Sequence, residues 1–520
     1  MMPSMSDSAN DNPLARNPDK PALIMAWNGE VVTYHDLDRR SNQVAHMLRN
    51  AGLKTGDVVA LCMDTNRHFH EILWGVQRSG LYFLPISNRL LPGEISYILK
   101  DSGARALFVT GGLGATATSL RRMNLPIKRW LAVGGSIEGY EDYLSAREGF
   151  PETPVADESA GRYMCYSSGT TGRPKGILWA PDPRAKGRDH LTMERLSDFF
   201  GMSGETVYLC PAPLYHSAPL TWTMRMLRLG ANSVLMDHFD PAAALALIEK
   251  YKITHAQFVP TMFVRMLKLA PEIRAAHDLT SLRAVIHAAA PCPIEVKQKM
   301  IDWWGAIVHE FYGASEGLGI TAASASEWLA HRGSVGRSIM GIPHVVNEEG
   351  QELPVGEVGT IWFEDGGNWD YVGDPAKTAE SMDRRGWRTV GDIGRLDADG
   401  YLYLTDRKSN MIISGGVNIY PQEAENLIIS HPGVLDVAVI GVPDEEFGEA
   451  VKAVVQLIDP AQAGDAMAAD IIAFCRVSLS SIKCPRSVDF VAELPRHPNG
   501  KLYKRKLRDQ YWAGRDSALV

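Results

Sequence analysis

The sequence predicts an α/β protein, with parallel sheets covered by helices on both faces over most of its length and a separate α+β unit at the carboxy-terminal end. Three observations carry this expectation. Short apolar runs alternate with amphipathic helical stretches from about residue 33 onward, the alternation that builds parallel sheets. The same rhythm returns after about residue 205. After about Leu404 the texture changes to short strands and three helices, a unit of a little over a hundred residues.

Thr33-Tyr34-His35-Asp36 resembles a capping box, and Leu37, Val44, Ala45 and Leu48 follow at helical spacing until Gly52. That pattern is an amphipathic helix with a side-chain cap. An apolar run Val58 to Leu61, a helix from Phe69 to Arg78, a run Leu81 to Ile86, a helix opened by Pro92 and a run Ala106 to Val109 come next. In the second block, Val207 to Cys210, Ser233 to Met236, Thr254 to Val259 and Arg283 to Ala288 read as strands. Asp240-Pro241 caps one intervening helix, with proline where its missing N–H is harmless, and Ile294 to Trp304 forms another. In the last block Tyr401 to Thr405, Met411 to Ser414, Val437 to Val442 and Ala450 to Leu457 are the expected strands, with helices near 421–430, 465–479 and 501–511.

Composition narrows the function. The 520 residues allow about three folding units at roughly 150 residues each. With 53 basic and 61 acidic side chains the net charge is −8, the wrong sign for a nucleic-acid binder that works by neutralising phosphates. Cys62, Cys165, Cys210, Cys292, Cys475 and Cys484 show no C-x-x-C pair and no nearby histidine set, which reads as free thiols in a reducing compartment. The stretch Met1 to Lys20 lacks an apolar core of signal-peptide kind. No run reaches the roughly 18 apolar residues of a spanning helix, so the expectation is a cytoplasmic protein with no integral membrane segment.

In such sheets ligands bind where strands end, because backbone amides and helix N-termini are exposed there. The loudest local signal is the loop Tyr166-Ser167-Ser168-Gly169-Thr170-Thr171-Gly172-Arg173-Pro174-Lys175-Gly176. Glycines let N–H groups approach an oxyanion, hydroxyls add donors, and the lysine supplies a charge that can follow a polyphosphate. Its composition also fits a flexible linker. It is not the common NTPase P-loop, since Pro174 precedes the lysine and no Ser or Thr follows it.

This stretch closely resembles the phosphate loop of the adenylate-forming enzymes, the family of acyl-CoA synthetases, peptide-synthetase adenylation domains and firefly luciferase. Four further segments resemble that family in order. They are Tyr312-Gly313-Ala314-Ser315-Glu316, with Ser where Thr is usual, Val390-Gly391-Asp392, Asp406-Arg407, and Pro495 to Lys501. Together they span nearly the whole chain, which removes the linker reading.

The resemblance implies an amino-terminal domain (1–404) of two doubly wound sheets plus a small β-barrel, a hinge (405–409) and a mobile α+β lid (410–520). The family pivot is commonly Asp or Lys two places after the hinge arginine. Here that place is Ser409, and Lys408 stands one place earlier. The implied reaction joins a carboxylic acid to ATP as acyl-AMP, releasing pyrophosphate, and then passes the acyl group to CoA.

Ser167, Ser168, Gly169, Thr170, Thr171, Gly172 and Lys175 would then cradle the phosphates, with Ser315 at the α-phosphate and Glu316 holding Mg²⁺. Tyr312 and Gly313 would lie against adenine with backbone from Ala289 and Ala290, and Asp392 and Arg407 would bind the ribose. Lys501 would bridge carboxylate and α-phosphate. On the lid, Gly415 and Gly416 would admit the pantetheine arm of CoA.

His216 falls where the family has a gate by the acyl carbonyl, though a plain hydrogen-bonded histidine fits as well. Gln257, Phe258, His287, Ala288, Ala314 and Gly317 are the further expected walls of the acyl pocket. Small residues dominate there, with Ala289, Ala290 and Gly319 beside them, and none of the walls is charged, which favours a bulky hydrophobic acid, whether fatty, aryl or polycyclic. The chain has no Ser-bearing carrier domain before it stops at Val520, which favours free CoA. Loading of a separate carrier protein is the alternative within the family, and a non-catalytic nucleotide-binding protein is the alternative outside it. A homodimer is an expectation from analogy alone.

Overall fold

The computed structural model describes residue 14 and residues 17–167, 174–179, 191–496 and 502–513. Local chemistry sets the elements where the sequence places them. The helix Tyr34–Asn50 starts at Thr33, whose hydroxyl accepts from the Asp36 N–H at 3.1 Å. Asp240 caps the helix Pro241–Tyr251 by accepting from the Ala243 N–H at 2.8 Å. Both caps satisfy amides that the first helical turn leaves without partners.

Two large sheets organise the chain up to residue 340. One has six strands, all parallel, in the order Glu141–Asp142, Arg129–Val133, Ala106–Thr110, Val58–Cys62, Tyr82–Pro85 and Arg162–Tyr163. The other has nine. Its parallel centre runs Val308–Gly313, Ala284–His287, His255–Phe258, Val207–Cys210, Asn232–Leu235 and Pro21–Met25.

Antiparallel strands close both edges of the larger sheet: Ile320–Ala323 and Arg337–Met340 at one, Val31–Thr33 at the other. The sequence rhythm did not announce these edges, because a short strand without a crossover helix has no alternation to reveal it. Apolar faces of both sheets meet in one core that joins Leu37, Val44, Phe69 and Trp74 to Tyr208, Trp222 and Leu227.

Where the resemblance implies a small barrel, two antiparallel sheets pack around one apolar core. The first contains Ile342–Val346, Gly359–Glu364, Asp392–Leu396 and Leu402–Arg407; the second contains Trp369–Tyr371, Lys175–Trp179 and Cys165–Ser167. Cys165, Ile177, Phe363, Trp369 and Leu402 fill the space they share. Among the described residues the two sheets are not hydrogen-bonded into a closed barrel.

The carboxy-terminal unit has a five-stranded sheet and cores of its own. Helices Pro421–Ile428 and Asp465–Arg476 contribute Ile428, Ile471 and Cys475 to one core; Leu507, from the helix Lys504–Trp512, joins Ala438 and Ile440 in the other. All six cysteines are unpaired. Among the described residues no helix is long and apolar enough to cross a membrane.

Candidate active site

A cavity of about 2480 Å³ opens between the large sheets and the carboxy-terminal unit. Four segments that line it leave the ends of neighbouring strands: Pro211–His216 after Val207–Cys210, Val259 and the first turn of the helix Pro260–Leu267 after His255–Phe258, Ala288–Pro291 after Ala284–His287, and Ala314–Gly317 after Val308–Gly313. A parallel sheet exposes its functional groups there, so strand order alone gathers these segments. The volume exceeds a usual small-ligand pocket of about 300–1,000 Å³, leaving room for more than one substrate.

On one wall three residues form a chain. Asp392 and Arg407 are cross-strand partners in register, and Arg407 Nε donates to Asp392 Oδ1 at 3.0 Å. The Tyr312 hydroxyl donates to Asp392 Oδ2 at 2.6 Å. Burial, and then the Asp392 charge, push the Tyr312 phenol far above its ordinary range, so it stays a donor. The Asp392 side chain is 8% exposed while that of Arg407 is 41% exposed. The carboxylate is therefore held in place and the guanidinium faces the cavity edge.

A second group surrounds Glu316. The Tyr371 hydroxyl donates to Glu316 Oε1 at 3.2 Å, and the Lys175 ammonium lies 5.3 Å from the centre of the Tyr371 ring. Antiparallel pairing of Ile177 with Tyr371 brings this about. Burial, then the nearby Lys377, lower the Lys175 pKa, opposed by Asp374, Glu380 and Glu316. Gly317 follows at φ +69°, and a Cβ there would sit 1.9 Å from Trp179, so the turn that aims Glu316 admits only glycine.

Ala288, Ala289 and Ala290 line the cavity, and Ala289 holds φ +74°. A non-glycine residue in the left-handed region is strained backbone of the kind that collects at functional sites. His216 precedes the helix Ser217–Leu229 and faces the cavity, its ring 4.6 Å from that of Tyr215. Gln257, Phe258, Ala314, Ser315 and Gly317 line the same space.

Two expectations need correction. His287 is not a wall: it is fully buried, edge-on to Phe263 at 5.6 Å, with Nε2 3.4 Å from Glu310 Oε2. Its strand turns it under the helix Ile294–Trp304, where Lys297 on that helix pairs with Glu310 at 2.7 Å. Nor are the walls uniformly small and uncharged. Tyr208, Trp222, Phe311, Arg162 and Arg228 also line the cavity, and Arg228 is 8% exposed. Tyr208 and Phe311 come from strands of the nine-stranded sheet, Arg162 from the edge of the six-stranded one, and Trp222 and Arg228 from the helix after His216, segments whose facing the sequence alone does not disclose.

Ser168, Gly169, Thr170, Thr171, Gly172 and Lys501 lie outside the described residues, as do the side chains of Ser167 and Lys408. Arg496, Leu502, Tyr503 and Lys504, which flank the Lys501 segment, line the cavity; Gly415 and Gly416 do not. Ser409 lines it too, within a single 3-10 turn Lys408–Asn410. Asp406 spans this turn, accepting from Asn410 Nδ2 and from the Gln422 N–H, each at 3.0 Å.

Tyr371 escaped the sequence reading, although Trp369-Asp370-Tyr371 ahead of Asp374-Pro375 is a strand followed by a capped helix. Among the described residues the one cluster of three metal-ligating types, His331, Asp397 and Asp399, lies away from this cavity. Its Asp397 is taken up by the Tyr401 N–H and the Tyr403 hydroxyl.

Residues 11–368 match the family model described as AMP-binding enzyme, and residues 423–501 match the AMP-binding enzyme C-terminal domain. The fatty acid–[acyl-carrier-protein] ligase ScoC of Streptomyces coeruleorubidus is 34% identical, over 96% of this chain and 95% of its own length. A feruloyl-CoA synthase of Amycolatopsis sp is 33% identical, over 94% and 96% respectively. Among solved structures, the anthranilate CoA ligase AuaEII in complex with anthranoyl-AMP matches with a TM-score of 0.84 at 27% identity, covering 96% of each chain.

Proposed function

The chain belongs to the AMP-binding enzyme family and is an enzyme of the ligase class, and from that premise we propose that it activates a bulky hydrophobic carboxylic acid as acyl-AMP and transfers the acyl group to the thiol of CoA. The observation that carries this reading is the convergence of Lys175, Glu316, the Tyr312–Asp392–Arg407 chain and the residues flanking Lys501 on one cavity. Those groups match the needs of the chemistry. Two anions must be held together while a carboxylate oxygen attacks the α-phosphorus and pyrophosphate departs.

In this reading Lys175 and the loop before it bind the β- and γ-phosphates, and Ser315 meets the α-phosphate. Asp392, fixed by Tyr312, accepts from a ribose hydroxyl, and Arg407 donates to it. The strained backbone at Ala289, with Ala290, borders the adenine site with Tyr312 and Gly313. Glu316 keeps one carboxylate oxygen on Tyr371 and has the other for a cation, a donor set that fits Mg²⁺. When bound, that ion neutralises charge on the phosphates. Lys501 bridges the carboxylate and α-phosphate. His216 stands at the mouth of the acyl pocket, whose walls include Gln257, Phe258, Ala288, Ala314 and Gly317.

The second half-reaction forms a thioester bond and breaks the acyl–phosphate bond, releasing AMP. The lid (410–520) turns about 405–409, with Lys408 and Ser409 as pivot, and brings Gly415 and Gly416 to the cavity. The six free cysteines support a reducing compartment, the cytoplasm, as the place of this reaction. A carrier protein as acceptor is the second reading, favoured by the similarity to ScoC, a fatty acid–[acyl-carrier-protein] ligase.

The test is a mass-spectrometric assay with ATP, Mg²⁺ and either CoA or a phosphopantetheinylated carrier, against fatty, aryl and polycyclic acids, recording acyl-AMP and thioester separately. Acyl-CoA from one acid class is the expected product. Thioester on the carrier alone would favour the second reading, and no acyl-AMP from any acid would overturn both.

A further inference from the structure

The body and the lid touch at a contact far from the hinge in sequence. Lys268 ends the helix Pro260–Leu267 on the body. Its Nζ donates to the carbonyl of Val434 at 2.6 Å and to that of Leu435 at 3.3 Å, 166 and 167 positions further along the chain. These carbonyls open the lid strand Val434–Asp444, where the pairing with Gly448–Leu457 shifts register between Val434 and Asp436. The bulge leaves Leu435 opposite no residue of the partner strand, so its carbonyl is available to a donor from outside the sheet.

The next residue extends the chain of contacts. Asp436 receives Arg496 with both carboxylate oxygens, Nε at 2.5 Å and Nη2 at 2.6 Å. This bidentate pair fixes orientation as well as distance. Arg496 stands five positions before Lys501, and Leu435, Asp436 and Arg496 all line the cavity. Lys268 therefore grips a strand end whose next residue, Asp436, holds Arg496 at the root of the lysine loop.

We propose that Lys268 is a positioning residue for the first half-reaction, latching the lid at Val434 and Leu435 so that Asp436 and Arg496 present the Lys501 loop to the cavity. The inference rests on the two-step reading above. A lid that turns about 405–409 carries Leu435 away from Lys268, so the latch belongs to this arrangement and opens before the thiol step.

Lys268→Met keeps the aliphatic stem and removes the donor. Acyl-AMP formation is measured in a single turnover, and thioester formation is measured separately from pre-formed acyl-AMP and CoA, with octanoate, laurate and ferulate as acids. The ratio of the first rate to the second is expected to fall about three- to tenfold, the range for losing a partly solvated charged donor. Lys268→Arg, which keeps donors within reach, is expected to restore it.

An equal fall in both rates would make Lys268 merely structural and overturn the latch, as would an unchanged ratio. Should Lys268→Met fail to fold, Lys268→Leu, which also lacks a donor, carries the same comparison. A wild-type chain that makes no acyl-AMP from any of these acids, and none from the wider panel, overturns the two-step reading and the latch with it.

Discussion

At the scale of single residues, the site depends on groups held by one or two short contacts. Asp392 takes Tyr312 on one oxygen and Arg407 on the other. Asp392→Asn replaces an oxygen acceptor with an amide that cannot receive both donors. Charge-assisted hydrogen bonds of about 1.5–3 kcal/mol are at stake, so kcat/KM for ATP is expected to drop about 10- to 100-fold, together with a measurable fall in thermal midpoint. Pyrophosphate release at varied ATP checks this.

Gly317→Ala places a methyl group within 1.9 Å of Trp179 at φ +69°. Both strain and overlap act, so a loss of about 2 kcal/mol or more is expected, visible in the denaturant midpoint. Lys175, Glu316, Asp392 and Arg407 were legible as candidates because each sits inside a short motif. Tyr371 was not: its partner Glu316 lies 55 positions away, and nothing near Tyr371 in sequence points to it.

At the scale of elements, the helices and strands with caps and clear periodicity stand where their spacing places them, Phe69–Arg78 and Ile294–Trp304 to the residue. Neither the antiparallel edge strands nor the pairing of Lys175–Trp179 with Trp369–Tyr371 could be read, since such short strands are defined by their partners more than by their own composition. The helix Ile294–Trp304 is tied to the strand Val308–Gly313 by the fully buried Lys297 and its partner Glu310. Lys297→Met leaves the Glu310 carboxylate buried without its ion pair, and such losses run to about 3–5 kcal/mol. Calorimetry is expected to show a large fall in stability, and Glu310→Gln in the same chain is expected to recover part of it.

At the scale of the whole molecule, buried histidines set the response to acid. Burial lowers the His70 pKa to about 3 and, with Lys297 and His255 adding to it, the His309 pKa to about 4. His309 Nδ1 accepts the Ala325 N–H at 3.0 Å, which a proton there would abolish. The unfolded chain binds these protons at an ordinary pKa near 6.5, whereas the folded chain does not. Stability is therefore complete above about 6.5 and declines toward each lowered value, by about 1.4 kcal/mol per pH unit for each group. Denaturant midpoints measured from pH 7 to pH 4 are expected to fall, with net proton uptake on unfolding, and a flat profile would contradict this assignment.

Motif residues and capped helices are local information, carried by neighbours a few positions apart, and the sequence by itself determined them, together with the α/β class and the family resemblance. The tertiary structure alone decided that Tyr312 meets Asp392 across 80 positions, that His287 turns inward while Arg228 reaches the cavity, and that Lys268 donates to the Val434 carbonyl across 166. These meetings follow from which apolar faces bury against one another, and that depends on every packed element at once.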